Sequence, residues 1–191
     1  LQAVSLQKTI MERGNVECEL IDYEPEFIRK DYSISPFKDN HPKAIIKSAL
    51  RIPDKIKRNL KFQALREENI VCSKQCLSED DFKNICNSLD EIVVGSDQVW
   101  NYNLTKYDMH YFLPEIDASV KKVAYAASTG GADFSAQGSN KMIQSLQNFS
   151  DISVRESASK TALEQRLKEK YIEVVLDPVF LTTKNYWMQL A

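Results

Sequence analysis

The chain has 191 residues, of which 43% are hydrophobic and 27% are charged, the proportions of a globular protein rather than a disordered one. The 25 lysines and arginines against 27 acidic residues give a net charge of -2, which argues against nucleic acid as a partner, because that role needs a cationic surface. No apolar run approaches the ~20 residues that a membrane-spanning helix needs.

The four cysteines, Cys18, Cys72, Cys76 and Cys86, indicate free thiols rather than a metal site. The Cys72-x3-Cys76 spacing is loose for zinc, and no second pair or histidine cluster completes a tetrahedral set. Cysteines without a signal peptide fit reduced thiols in the cytosol. We therefore expect a cytoplasmic protein with no metal and no cofactor, and a position at the inner face of the membrane stays open.

Residues 1–11 predict an amphipathic helix, because apolar side chains recur at helical spacing, and Gly14 is a typical residue for its C-terminal end. Residues 16–23 predict a strand with partial alternation of apolar and polar side chains. Together they form the helix–strand half of a βαβ unit whose first strand and turn are absent. We expect this segment to be scaffold.

Residues 24–42 are polar and contain three prolines, so they predict an exposed loop. A basic helical stretch follows over 43–66, interrupted at Pro53. Its cations are Lys43, Lys47, Arg51, Lys55, Lys57, Arg58 and Lys61. Such a surface is typical of a solvated helix face. Contact with an anionic glycan, a nucleotide or a membrane surface, hence peripheral membrane association, is the alternative.

The spacing Ser78-x-x-Asp81 predicts a capping box that opens a helix running to Leu89. The β-branched run Ile92-Val93-Val94 then predicts a strand buried on both faces.

This strand ends at Gly95, which permits a sharp exit of the backbone. Ser96, Asp97 and Gln98 follow at once, and then Trp100. Ligands lie beyond the carboxyl ends of strands in open α/β sheets, so these side chains predict a site. The alternative is a turn and a helix cap, with Trp100 in the core.

His110 lies in the apolar and aromatic run 109–114, and we interpret it as a packed, hydrogen-bonded histidine rather than a catalytic one. The small residues of 123–127 predict a second buried strand, directly followed by Ser128-Thr129-Gly130-Gly131. Hydroxyls and free backbone N–H groups in such a loop suit phosphate, carboxylate or sugar oxygens. Neither G-x-G-x-x-G nor G-x-x-x-x-G-K-[ST] occurs, so we expect no nucleotide site of either standard kind.

A third strand over 152–154 leads into a helix predicted to run to Lys170. The spacing Ser153-x-x-Glu156 predicts a capping box, which places Arg155 in the first turn of that helix. A cation there opposes the positive end of the helix dipole. Its position therefore favours an anion held by the guanidinium and the helix N–H groups together. The alternative is a salt bridge to Glu156 or to another nearby acid.

Residues 172–176 predict the fourth strand of the series that begins at 92–94, and it ends at the turn Asp177-Pro178. Four strands with intervening helices, and polar residues at their C-terminal ends, favour an α/β fold with a doubly wound parallel sheet, that is, a Rossmann-like fold.

The run Gly95-Ser96-Asp97-Gln98-Val99-Trp100-Asn101 resembles the signature of the polysaccharide pyruvyl transferase family. Further motifs support the resemblance in the family's order: Leu1-Gln2-Ala3, Tyr125-Ala126-Ala127-Ser128-x-Gly130, Val154-Arg155-Glu156 and Asp177-Pro178-Val179-Phe180-Leu181. The resemblance covers nearly the whole chain, but only the N-terminal half or so of a typical member. It implies a two-domain, GT-B-like architecture, with a Rossmann-like N-terminal domain over 1–176 and a crossover over 177–191 into an absent C-terminal domain.

The implied reaction transfers a pyruvyl group from phosphoenolpyruvate to two hydroxyls of a sugar, forming a cyclic ketal and releasing phosphate. The acceptor would be a cell-surface polysaccharide or its lipid-linked precursor. The resemblance implies that Arg155 binds phosphoenolpyruvate. The implied cleft and substrate-binding residues are Gly95, Ser96, Asp97, Gln98, Trp100, Asn101, Ser128, Gly130 and Glu156.

The family's C-terminal histidine and basic residues would lie beyond Ala191, so we expect the chain by itself to be inactive, and the general acid is not identified. Two other functions stay open at this point. One is a sugar-nucleotide-dependent glycosyltransferase of similar architecture, and the other is a non-catalytic glycan-binding module.

Overall fold

The computed structural model of the protein describes residues 1–14, 16–25, 28–29, 52–135 and 137–190. Most of the loop predicted at 24–42 lies outside the described residues, and so do Lys43, Lys47 and Arg51 of the predicted basic stretch.

Within these ranges the chain alternates helices and strands. The strands are β1 (Leu20–Asp22), β2 (Cys72–Gln75), β3 (Glu91–Val94), β4 (Lys121–Ala127), β5 (Asp151–Val154) and β6 (Ile172–Val174). The α-helices are α1 (Gln2–Gly14), α2 (Ile52–Asn69), α3 (Glu79–Asn87), α4 (Asn140–Leu146), α5 (Ser157–Glu164) and α6 (Lys184–Leu190). Short 3₁₀ helices span Met109–Phe112, Gln137–Ser139 and Pro178–Leu181.

The strands form two parallel sheets. β1 pairs with β2, and β3, β4, β5 and β6 pair in that order. Parallel sheets with intervening helices fit the predicted Rossmann-like fold. From β3 to β6 the spatial order follows the chain order, so the reversal of winding that defines a doubly wound sheet does not occur among these four strands.

One face of the four-stranded sheet carries the core, because alternate residues of each strand point to the same side. Six apolar strand residues on this face are buried, namely Ile92, Val94, Ala124, Ile152, Val154 and Ile172, whereas Val174 at the end of β6 is 41% exposed. They share one apolar cluster with residues of helices α3, α4 and α5, namely Phe82, Cys86, Met142, Ile143, Leu146 and Leu163. The opposite face is only half-buried at Val93, Val123, Tyr125 and Ser153.

Helix α3 begins as predicted from its capping residues. The Ser78 hydroxyl accepts the N–H of Asp81 at 3.1 Å, and the Asp81 carboxylate accepts the N–H of Leu77 at 3.1 Å. These bonds satisfy backbone donors that have no partner within the helix.

Three predicted elements are too long. The strand predicted over 16–23 is only β1, because the buried side chain of Gln7 bonds the carbonyls of Cys18 at 3.0 Å and Val71 at 2.7 Å. The side-chain amide of Gln7 in α1 thus makes hydrogen bonds that a neighbouring strand would otherwise make. The strand predicted over 172–176 ends at Val174, and the helix predicted to reach Lys170 is α5, which ends at Glu164.

The segment after β6 packs against α1. The Ser5 hydroxyl donates to the carbonyl of Pro178 at 2.5 Å, and the Trp187 indole donates to the carbonyl of Val179 at 3.0 Å. Among the described helices, none combines the length and the apolar character needed to cross a bilayer.

Candidate functional site

The carboxyl ends of β3, β4 and β5 lie along one edge of the sheet, and the residues that follow them, 95–98, 128–130 and 155–156, are called the rim below. Backbone hydrogen bonds tie these loops together. The N–H of Ser128 donates to the carbonyl of Asp97 at 2.9 Å, and the N–H of Arg155 donates to the carbonyl of Ala127 at 3.1 Å. The prediction that successive strands deliver these segments to a shared edge is confirmed.

Two glycines allow the rim loops to approach each other. Gly95 has a φ of +124°, and a Cβ there would lie 2.2 Å from the carbonyl oxygen of Tyr125. Gly130 has a φ of +56°, and a Cβ there would lie 2.4 Å from Gln98 Oε1 and 2.5 Å from Asn101 Nδ2. Gly95 needs glycine for conformation and for space, because the close atom is backbone. Gly130 is favoured by its positive φ, and a Cβ there would displace the ends of the Gln98 and Asn101 side chains. The peptide bond between Gly95 and Ser96 is cis.

The amides of Gln98 and Asn101 form a pair beside Gly130. Asn101 Nδ2 donates to Gln98 Oε1 at 2.8 Å, and the Asn101 carbonyl oxygen accepts the N–H of Leu104 at 3.3 Å. Each NH₂ group carries two N–H donors, so the pair keeps donors for a ligand. The predicted cleft residues Gln98, Asn101 and Gly130 are thus brought together.

Hydroxyl groups line the inner side of the rim. The Ser128 hydroxyl accepts the N–H of Gly130 at 3.0 Å and is hydrogen-bonded to Glu156. Ser96 is buried, and its hydroxyl has no hydrogen-bond partner among the described residues. Because a buried hydroxyl without a partner costs free energy, Ser96 marks a polar position that a ligand or a water can satisfy.

Arg155 is surrounded by carboxylates. Its Nε donates to Glu156 Oε1 at 2.7 Å, its Nη1 donates to Asp177 Oδ2 at 2.9 Å, and its Nη2 lies 3.9 Å from Asp97 Oδ1. The side chain is 24% exposed. The salt bridge to Glu156, named above as the alternative for Arg155, is present, and the Nη2 edge facing Asp97 is the part of the guanidinium with no hydrogen bond to these acids.

Two acids of this cluster, Glu156 and Asp177, are held in their charged form. Burial raises the pKa of Glu156, but hydrogen bonds from Arg155, Ser128 and Ser159 outweigh it and hold that pKa below the ordinary value. Burial likewise opposes ionisation of Asp177, and hydrogen bonds from the Val179 N–H, Arg155 and Gln2 lower its pKa. Glu156 and Asp177 therefore place two negative charges beside the positive charge of Arg155.

The predicted capping box at Ser153 is wrong. Ser153 belongs to β5, where its hydroxyl donates to the carbonyl of Ala124 at 3.0 Å. Helix α5 begins at Ser157 with Glu156 at the N-cap, so Arg155 precedes the helix and does not lie in its first turn. Arg155 therefore does not oppose the dipole of this helix, and ion pairs to Glu156 and Asp177 hold its guanidinium instead.

Trp100 does not line the rim. Its side chain is 0% exposed, and its indole N–H donates to the carbonyl of Tyr111 at 3.0 Å. Its ring packs against Phe112 and Phe149, with centroids 6.2 Å and 6.1 Å away. The prediction of Trp100 as a cleft residue is corrected: it anchors the loop from the core side, which was the alternative for this residue.

Asp177 lies next to the rim and contacts Arg155, whereas the sequence places it in a turn and in a family motif but does not predict it as a site residue. It caps the 3₁₀ helix Pro178–Leu181 by accepting the N–H of Val179 at 3.0 Å, and it also accepts from Arg155 and from the side chain of Gln2. Its position in the sequence could have indicated a site residue, because Asp177 comes just after the predicted strand at 172–176, as Asp97 comes just after the strand at 92–94.

His110 lies apart from the rim, beside a cavity of about 600 Å³ between α3, α4 and the 3₁₀ helix Met109–Phe112. Its Nδ1 lies 2.6 Å from Asp108 Oδ1, its Nε2 lies 3.0 Å from Glu79 Oε2, and its ring stacks on Tyr23 at 4.1 Å. Burial lowers the pKa of His110, but the hydrogen bond and charge of Asp108 and the charge of Glu79 outweigh it and raise that pKa. The interpretation of His110 as packed and hydrogen-bonded is confirmed.

In the part of the chain that the structure describes, no three histidine, cysteine or acidic side chains are arranged to hold a metal ion. All four cysteines are free thiols, and Cys86 is buried. Burial raises the pKa of the Cys86 thiol to about 12, so it is protonated at neutral pH and unsuited to nucleophilic attack.

Comparison with known proteins identifies one family. The family model described as polysaccharide pyruvyl transferase matches residues 1–191, the whole of this chain. No curated protein and no solved structure matches the chain. The ordered motifs around the rim and the match over the full length agree, and the chain belongs to the polysaccharide pyruvyl transferase family.

Proposed function

We propose that the protein transfers the pyruvyl group of phosphoenolpyruvate to two hydroxyls of one sugar in a cell-surface polysaccharide or its lipid-linked precursor. The observation that carries this proposal is the convergence of three loops on one rim, with hydroxyls, a carboxamide pair and a partly exposed Arg155–carboxylate cluster side by side. Family membership supports transfer of a pyruvyl group to a saccharide in general. The donor and the acceptor are part of the proposal.

The chemistry fixes what the rim must do. Two C–O bonds form between sugar oxygens and the central carbon of the donor, and the bond from that carbon to the phosphate oxygen breaks. The two sugar hydroxyls lose two protons in all. The methylene carbon gains one proton and becomes a methyl group, and the departing phosphate carries the other. The site therefore has to orient two hydroxyls and accept their protons.

The charge of the rim supports recognition of hydroxyls. Three carboxylates surround Arg155, and Asp97 is the most open of them, with its side chain 68% exposed. A carboxylate accepts strong hydrogen bonds from hydroxyl groups. In this proposal Asp97 receives a sugar hydroxyl together with Gln98.

The Nη2 edge of Arg155, which lies beside Asp97, meets the anionic donor. The phosphate and carboxylate of that donor need more positive charge than one arginine in an acidic cluster supplies. We infer that a second domain, in a GT-B-like arrangement, provides it across the rim.

The test uses the full-length protein with phosphoenolpyruvate and a saccharide acceptor. We expect release of inorganic phosphate and a pyruvyl ketal on the saccharide, detected by mass spectrometry. Arg155→Lys should reduce kcat/KM for the donor by about tenfold or more, because a lysine cannot keep the forked contacts of a guanidinium. Lys121→Met, at the opposite edge of the sheet, is the matched control. Release of a nucleoside diphosphate from sugar nucleotides, with no use of phosphoenolpyruvate, would refute the proposal.

A further inference from the structure

The loop that follows the rim after β3 presents an aromatic surface, which we call the tyrosine platform and define as Tyr102 and Tyr107. The two rings are stacked, with centroids 5.1 Å apart and planes 23° apart. Tyr107 is 57% exposed. A stacked pair therefore leaves a large part of one aromatic ring open to solvent beside the candidate site.

Contacts with Asp133 and Phe134 hold Tyr102 in place. Its hydroxyl donates to the carbonyl of Asp133 at 2.8 Å, and its ring meets the buried Phe134 edge-on at 5.7 Å. The N–H of Tyr107 donates to the carbonyl of Tyr102 at 2.9 Å. The exposed ring thus rests on a support that is tied to the core, and little rotamer freedom remains to be lost on binding a ligand.

The backbone that presents Tyr107 is unusual. Lys106 and Tyr107 both adopt left-handed conformations, with φ values of 55° and 62°. Two consecutive non-glycine residues in this region carry a conformational cost, and a bulky aromatic side chain is rare there. A costly backbone that holds an apolar ring in water points to a ligand for that ring.

The platform adjoins polar groups that suit a sugar. Tyr102 directly follows Asn101, whose carboxamide is paired with Gln98 and lies against Gly130. Pyranose rings are recognised by an aromatic face, which covers their C–H surface, together with planar polar side chains that bond their hydroxyls. Both components are present here within one continuous loop.

We propose that the tyrosine platform binds a neutral pyranose ring of the acceptor glycan, which stacks on Tyr107 while the Gln98–Asn101 pair bonds its hydroxyls. This inference rests on the proposed function for the identity of the glycan as an acceptor. It requires no phosphoenolpyruvate for the binding itself. The two proposals can therefore fail separately.

The experiment measures sugar binding to the full-length protein without donor. The probes are methyl β-D-galactopyranoside, methyl β-D-glucopyranoside and methyl β-D-mannopyranoside, followed by saturation-transfer NMR with titration. Tyr107→Asn removes the ring but tolerates a left-handed backbone, and it should weaken binding of the best probe by about two- to tenfold. Tyr107→Phe should stay within about twofold of the wild type, because the ring remains.

Tyr171→Ala is the matched control, since Tyr171 is 76% exposed and immediately precedes β6 at the other edge of the sheet. The platform is refuted if Tyr107→Asn binds like the wild type, if Tyr171→Ala loses as much affinity, or if none of the three sugars binds the wild type. Tyr107-dependent sugar binding in a protein that does not consume phosphoenolpyruvate would leave the platform standing and refute the proposed donor.

Discussion

Replacing Arg155 by methionine tests the ion-pair cluster, because methionine keeps most of the apolar stem and removes the charge. The guanidinium makes two hydrogen bonds to carboxylates, at 2.7 Å and 2.9 Å, with the side chain 24% exposed. A buried charge-assisted hydrogen bond contributes about 1.5–3 kcal/mol, and an exposed ion pair contributes at most about 1 kcal/mol. Partial exposure lies between these limits, so we expect a loss of about 2 kcal/mol in the free energy of unfolding.

For a chain of this size that loss lowers Tm by about 4–8 °C. The assay is urea unfolding, followed by the fluorescence of the fully buried Trp100. A double-mutant cycle with Asp177→Asn should give a coupling energy of about 1 kcal/mol, since the two side chains are in direct contact.

A coupling energy below about 0.3 kcal/mol would show that the pair contributes nothing in solution, and the reasoning about a fixed acidic cluster would be wrong. Lys121→Met is the control. Lys121 is half exposed and lies 3.2 Å from Glu91 and 3.8 Å from Asp151, so its removal should change the free energy of unfolding by less than about 0.5 kcal/mol.

Three further predictions concern the rim and the histidine cluster. Asp97→Asn should leave Tm unchanged, because asparagine tolerates the φ of 73°, while kcat/KM for pyruvyl transfer falls by about tenfold or more. Gly131→Ala should cost about 1 kcal/mol of unfolding free energy from its left-handed backbone, and Gly130→Ala should cost measurably more, because its Cβ would also meet Gln98 Oε1 at 2.4 Å. The raised pKa of His110 predicts a contribution to stability that is full below pH of about 6.5 and is lost as pH rises through the folded-state pKa.

Each of these predictions has an outcome that would contradict it. Loss of folding in Asp97→Asn would make Asp97 a structural acid rather than a site residue. Equal unfolding free energies for Gly130→Ala and Gly131→Ala would mean that the Gln98 and Asn101 side chains are not held against Gly130. For His110, the unfolding free energy of His110→Gln measured from pH 6 to pH 9 should not show the loss seen in the wild type. An identical pH dependence would place the titration elsewhere.

The sequence was informative wherever burial alone decides structure. Ile92, Val94 and Ile152 are buried as predicted, because β-branched runs between polar segments have few other stable positions. The prediction that the strand at 92–94 is buried on both faces is wrong for the second face, where Val93 is only half-buried. The placement of Asp97, Ser128 and Arg155 along one edge followed from the parallel direction of the strands, which sequence pattern and strand order determine together.

What could not be predicted depends on contacts between distant residues. The Gln7 side chain shortens the first strand by bonding Cys18 and Val71, and no local pattern announces this. Ser153 and Glu156 have the spacing of a capping box, yet Ser153 bonds across the sheet to Ala124. The spacing of Ser153 and Glu156 allows a capping box, but the hydrogen bond from Ser153 to the neighbouring strand forms instead.

The direction of a single side chain is equally undetermined by pattern. Trp100 follows a cluster of polar residues and could face the cleft or the core, and only the space beside Phe112 and Phe149 settles the matter. The acidic surroundings of Arg155 depend on Asp177, which comes from a later turn of the chain.

Asp177 has a consequence for biosynthesis. It completes the contacts of Arg155 and at the same time binds Gln2, which lies 175 positions earlier. During synthesis β3, β4 and β5 can form in turn. The Arg155 guanidinium, however, cannot bond Asp177 until residue 177 has left the ribosome. The entropy of closing so long a loop grows only slowly with its length, so once translation has passed that point Gln2 and Asp177 can come together and complete the contacts of Arg155.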